Sequence, residues 1–147
     1  MFHHSTKLYF FYGAALFAAP IFCIFYIKVF SLQPPDPLWL FQDMYSFGIL
    51  VLFYPIIEEL SFRGMIQEYL SHKVGDSKRI AGISLANILT SILFVLMHFI
   101  YHTPIWALLV FFPSLLFGYF KEHFSSVIPS ILLHSFYNLV FFSLIGK

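Results

Sequence analysis

Five apolar runs, residues 8–30, 38–57, 80–101, 105–120 and 127–145, account for most of this 147-residue chain. A helix needs about 20 apolar residues to cross the hydrocarbon core of a bilayer. A backbone in lipid must also satisfy its own hydrogen bonds, which leaves α-helices for runs of this kind. The expected fold is therefore all-α, a polytopic membrane helix bundle of about five transmembrane helices. Composition points the same way. Only 10% of the residues are charged, against about 25% in soluble domains, and the mean hydropathy is +0.84. With 21 phenylalanines and nine tyrosines, a soluble domain would lack the polar surface to cover its core. A soluble enzyme, a disordered segment and a secreted disulfide scaffold are excluded. The single cysteine, Cys23, lies in an apolar run and reads as a packing residue.

The first run carries no charge before Lys28 and is longer than the 7–15 apolar residues of a signal peptide, so it reads as a retained helix. Its Gly13, Ala14, Ala15, Ala18 and Ala19 allow close helix approach. Gln33-Pro34-Pro35-Asp36-Pro37 then breaks the helix. This sets off an accessory N-terminal helix and loop, residues 1–37, from a bundle at 38–147. Residues 71–79 and 121–126 read as polar turns. His72, His102 and His123 fall in expected loops, and His3 and His4 in the N-terminal tail. With five spans, the N-terminus and those two turns share a side, and Lys7, Lys73, Lys78, Arg79 and Lys121 lie on it. Lys28 and Lys147 lie on the other. The excess places the N-terminus in the cytoplasm and the C-terminus outside. A formal net charge of +1 provides no basic field for nucleic acid. The partners are the lipid bilayer and whatever is anchored in it.

Polar residues inside such runs need an explanation, since a charge at a helix centre costs about 2.5–3.5 kcal/mol on insertion scales. Glu58, Glu59 and Arg63 follow the second run with no polar linker. Glu59 and Arg63 are i,i+4 in the favourable order for an ion pair, and Glu58 points about 100° away from Glu59. On the third run Ser84, Asn87, Ser91, Phe94 and His98 form one helix stripe, and on the fifth Ser130, His134 and Asn138 form another. Buried polar groups need partners. These are expected to partner one another in a convergent intramembrane site. The helix lengths do not match this directly. At 1.5 Å per residue His98 lies roughly 33 Å from the middle of the 71–79 turn, whereas His134 lies roughly 15 Å from the 121–126 turn. A break at Pro55 or a projecting helix pair would reconcile the two.

A carboxylate beside a neutral imidazole can take a proton from water without any serine or cysteine nucleophile. A second imidazole with an amide four residues on offers two donors to an oxyanion. The set suits hydrolysis of a peptide bond in a membrane-anchored protein or peptide. No Gly-x-Ser-x-Gly elbow is present. Two histidines and a glutamate can also bind catalytic zinc, although no His-Glu-x-x-His occurs, so a zinc-dependent membrane protease stays open as an alternative. A non-catalytic membrane binding or immunity protein, keeping the residues without turnover, is another.

Glu58-Glu59-Leu60-Ser61-Phe62-Arg63-Gly64, Phe94-Val95-Leu96-Met97-His98 and His134-Ser135-Phe136-Tyr137-Asn138 resemble, in order, the three motifs of the CPBP (Abi) family of intramembrane glutamic endopeptidases, which is similar to the type II CAAX prenyl endopeptidases. The resemblance covers roughly residues 45–145. It implies a metal-independent protease with no cofactor, in which the first-motif glutamate and His98 activate water while His134 and Asn138 stabilise the oxyanion. Glu58, Glu59, Arg63, His98, His134 and Asn138 are the catalytic set carried over. The chain is shorter than the eight-span prenyl endopeptidases, and the expected location is a prokaryotic plasma membrane.

Overall fold

The computed structural model describes residues 2–36, 38–75, 78–80 and 82–146, with side chains from residue 6 onward. Pro37 and Lys147, used above for the break and the orientation, lie outside the described residues, as do Asp76 and Ser77 of the 71–79 turn and the side chains of His3 and His4. The protein is nearly all helical. The helices are α1 (Phe2–Phe30), α2 (Trp39–Gln42), α3 (Met44–Ser46), α4 (Tyr54–Glu59), α5 (Glu68–Val74), α6 (Leu85–His98), α7 (Pro104–Leu109), α8 (Phe111–Phe124) and α9 (Ile128–Leu144). Two π-helical stretches, π1 (Phe47–Phe53) and π2 (Leu60–Gln67), flank α4, and a small hairpin pairs β1 (Arg79–Ile80) with β2 (Ile83–Ser84). The chain divides into two compact units, Met1–Ile56 with Leu132–Lys147, and Ile57–Ile131.

In the first unit, α1 buries Ala15, Ala19 and Cys23, spaced i, i+4, i+8, and exposes Tyr9, Phe10, Phe17 and Phe25. Small residues on the covered face let a neighbour approach the backbone; the Tyr137 hydroxyl donates to the Ala15 carbonyl at 2.8 Å. The exposed aromatics suit a lipid-facing surface. Asp43 starts α3 by accepting from the Ser46 amide at 3.0 Å, and the Trp39 indole donates to the Phe142 carbonyl at 2.8 Å.

The second unit is built on α6, which packs against α8 and π2. Ser84 caps α6 by accepting from the Asn87 amide at 3.0 Å. Thr103 precedes α7, whose first residue is Pro104, a position where a missing N–H costs nothing. α8 ends at Ser125 in the left-handed conformation, φ 51°.

Five apolar runs thus become a helical membrane bundle, but not five uniform rods. Residues 6–30 and 104–124 are each long and apolar enough to cross a membrane, while Leu85–His98 and Ile128–Leu144 are shorter apolar helices. The second run is α2, α3, π1 and α4 in succession. The third begins five residues late, because Gly82 at φ +83° turns the hairpin and Ser84 then caps the helix. Thirteen steps from Leu85 to His98 rise roughly 20 Å, so the helix carrying His98 is shorter than an unbroken helix from the 71–79 turn. Lys121, Glu122 and His123 are helical rather than in a loop, and His72 lies on α5.

Candidate active site

Within the second unit the first two motifs meet at a buried guanidinium. Arg63 and Glu59 are both fully buried, and Arg63 Nε donates to Glu59 Oε2 at 3.2 Å. Arg63 Nη2 donates to Ser114 Oγ on α8 at 2.6 Å. The guanidinium carbon also lies over the Phe94 ring, 5.5 Å from its centroid, a contact worth about 0.5–2 kcal/mol. Phe62 meets the same ring edge-on at 5.0 Å. Taking both charges out of water costs several kcal/mol per ion, and only good geometry with further hydrogen bonds offsets it. Ser114 supplies one such bond and the Phe94 ring a cation–π contact, while Arg63 Nη1 is buried with no hydrogen-bond partner among the described residues.

Phe94 also fixes His98. The two rings lie 4.4 Å apart, and His98 Nδ1 is 2.9 Å from the Phe94 carbonyl oxygen. A carbonyl only accepts, so Nδ1 carries the proton in the neutral ring and Nε2 holds the lone pair. The four-residue spacing from phenylalanine to histidine is thus one helical turn doing two jobs, ring packing and tautomer selection. His102, in the loop after α6 as expected, stacks on His98 with centroids 5.5 Å apart. Glu58, beside Glu59 on α4, is half-buried where Glu59 is fully so.

The expected stripe on α6 is buried: Ser84, Asn87, Ser91 and Phe94 are all covered, and His98 is half-buried. Asn87 ties the stripe to α8 and carries Ser91. Asn87 Nδ2 donates to the Leu115 carbonyl at 2.9 Å, and Ser91 Oγ donates to Asn87 Oδ1 at 3.2 Å. Gln67, one step beyond Arg63 on π2, donates to the Gly118 carbonyl at 3.2 Å and to Glu122 Oε1 at 2.8 Å. Glu122 also accepts from Ser84 Oγ and pairs with Arg79 at 3.6 Å. Ser130 Oγ donates to the Phe117 carbonyl at 2.7 Å. Sequence reasoning missed Gln67, Ser114, Gly118 and Glu122. The signal was present, since Glu59, Arg63, Gln67 and Ser114, Gly118, Glu122 are each i, i+4, i+8 series. Glu68 is exposed and pairs with Lys121. Among the described residues of this unit, no three His, Cys, Asp or Glu side chains form a group able to hold a metal ion.

His134 and Asn138 lie on α9 in the first unit, whereas Glu58, Glu59, Arg63 and His98 belong to the second. His134 is buried and Asn138 half-buried. Asn138 Nδ2 donates to the Leu50 carbonyl of π1 at 2.8 Å.

The fold and site define an all-α membrane protein with a buried carboxylate–guanidinium pair packed beside an oriented imidazole. Residues 38–140 match the family described as Type II CAAX prenyl endopeptidase Rce1-like. No curated protein and no solved structure matches the chain. The chain belongs to the Rce1-like family and is an integral membrane protein of the CAAX-endopeptidase kind, with membrane-anchored proteins as its substrate class.

Proposed function

We propose that this chain is a metal-independent intramembrane glutamic endopeptidase in which Glu58 and His98 activate the attacking water. Glu58 takes the water proton, oxygen adds to the scissile carbonyl, and the proton passes to the leaving amine as the C–N bond breaks. Glu59 and Arg63 hold the end of α4 that carries Glu58. His134 and an Asn138 N–H donate to the oxyanion. The observation that carries this reading is the Arg63 guanidinium, which joins Glu59 of the first motif to Phe94 and thereby to His98 of the second. The family match begins at residue 38, which supports residues 1–37 as an accessory helix and loop and 38–147 as the catalytic bundle. The distribution of Lys and Arg supports a cytoplasmic N-terminus and an outside C-terminus, in a prokaryotic plasma membrane.

The test uses the full chain in proteoliposomes with an internally quenched farnesylated CAAX peptide. Glu58→Gln keeps shape but cannot accept the proton, so turnover collapses while peptide binding survives. His98→Ala is comparably severe, and Asn138→Ala loses about 10²–10³-fold, the usual cost of one oxyanion donor. Exhaustive chelation leaves the wild type active. Turnover that survives in Glu58→Gln, or that chelation abolishes and Zn²⁺ restores, overturns the mechanism.

A further inference from the structure

Pro55 is fully buried near the start of α4, directly after π1. Its effect lies in an atom it does not have. The Tyr54 amide closes π1 by donating to the Ile49 carbonyl, an i to i−5 bond. In that register the next donor is residue 55 and the next acceptor is the Leu50 carbonyl. Proline has no N–H, so Leu50 O receives nothing from its own helix. A carbonyl left unpaired in an apolar interior costs about 1–3 kcal/mol, and Asn138 Nδ2–H supplies the missing donor at 2.8 Å.

That bond does more than satisfy Leu50. A carboxamide is planar with two N–H donors at a fixed angle, so anchoring one of them sets the direction of the other. The torsion that turns an Asn amide is broad and weakly restrained by itself. An oxyanion donor needs to be aimed before the charge develops. We infer that Pro55 is a positioning residue: by withholding an N–H from Leu50 it makes that carbonyl available to Asn138 and so orients the amide that serves the oxyanion. This rests on the reading of Asn138 given above and adds to it a device located in the first motif's own helix.

The experiment compares Pro55→Ala, Pro55→lactic acid (a backbone ester with the alanine side chain and no N–H) and Asn138→Ala, singly and with Pro55→Ala on the Asn138→Ala background. Turnover of the farnesylated CAAX peptide is measured in proteoliposomes, and thermal midpoints in detergent. Pro55→Ala returns a competing N–H to Leu50. Its kcat falls at least about 10-fold, the scale of a misaimed group, with KM within about two-fold. Its thermal midpoint is unchanged or higher, because a helix-interior proline has been removed. Lower activity with undiminished stability is not what a merely structural proline gives. The lactic acid variant keeps wild-type kcat, and Pro55→Ala adds nothing on the Asn138→Ala background. Wild-type kcat in Pro55→Ala, an equal loss in the ester variant, or additivity with Asn138→Ala overturns the proposal while leaving Asn138 as oxyanion donor. Full turnover in Asn138→Ala instead removes the oxyanion reading itself, and this proposal with it.

Discussion

Gly118 on α8 lies against both Asn87 of α6 and Gln67 of π2, and adding one methyl there has a calculable consequence. A Cβ on Gly118 would lie 2.0 Å from Asn87 Oδ1, 2.4 Å from Asn87 Cγ and 2.8 Å from Gln67 Oε1. Neither amide can step aside at no cost. Asn87 holds the Leu115 carbonyl and receives Ser91, while Gln67 holds Glu122 and the Gly118 carbonyl. Gly118→Ala therefore forces the helices apart, at about 1–3 kcal/mol for overpacking, and breaks the Asn87 bonds at about 0.5–1.5 kcal/mol each. Against this, alanine gains about 1 kcal/mol of helix propensity over glycine. The net expectation is a loss of about 2 kcal/mol or more. Steric-trap unfolding or SDS titration of the purified full chain reads it directly. Gly64 is the internal control: nothing lies within 4 Å of a Cβ there, so Gly64→Ala is neutral or slightly stabilising. A Gly118→Ala protein as stable as Gly64→Ala would refute the close approach of Asn87 to the α8 backbone.

Two further outcomes follow from the buried polar groups. Arg63→Ala takes the guanidinium away from a carboxyl group at zero exposure, so it destabilises by about 3–5 kcal/mol; Arg63→Lys recovers only part of this, because an ammonium cannot reach Glu59 and Ser114 in a fork or lie flat over Phe94. Wild-type melting of the alanine variant would make the pair a surface contact. Thr90 Oγ1 is buried with no hydrogen-bond partner among the described residues, so the nearly isosteric Thr90→Val removes an uncompensated hydroxyl and stabilises by about 1 kcal/mol, a sign that equilibrium unfolding settles.

What the sequence made legible was whatever obeys a 3.6-residue period. The Glu59–Arg63 pair, the α6 stripe from Ser84 to Phe94 and the long α1 could all be read from spacing, because each has one polar or small face on an apolar helix. The π stretches could not. Residues 47–53 are apolar on every side, so a change of hydrogen-bond register there leaves no mark on periodicity; only Pro55, which cannot donate, hints at it. The hairpin was hidden for a different reason. Ile80 and Ile83 extend the apolar run of α6, and hydropathy averages over Gly82 and the Ser84 cap, which carry the turn and the start of the helix. Lys121 and Glu122 read as a turn from sequence because they are charged. They stay helical because Glu68 pairs with Lys121, while Ser84, Gln67 and Arg79 hold Glu122.

The polar side chains of this chain share a habit that bears on how a site can be recognised in an apolar protein. Trp39, Gln67, Asn87, Ser130, Tyr137 and Asn138 all donate to a backbone carbonyl on another helical segment. In lipid such bonds are the available adhesive between helices, worth about 0.6–2 kcal/mol each, so an intramembrane polar residue is glue until something more is asked of it. A single-donor group such as the Trp39 indole or the Tyr137 hydroxyl has no further proton to give once it reaches its carbonyl. An amide is not: after one N–H is committed, an asparagine has a second donor and an oxygen, held in a known plane. Asn87 uses that remaining capacity structurally, accepting from Ser91 through Oδ1. Asn138 binds Leu50 through one N–H only, and the group that binds it there is a carbonyl stripped of its own helical donor by a proline. Anchorage and function therefore need not compete for the same residue. The bond that glues α9 to π1 is also what gives the second N–H of Asn138 a fixed direction, and a fixed direction is the property an oxyanion donor requires.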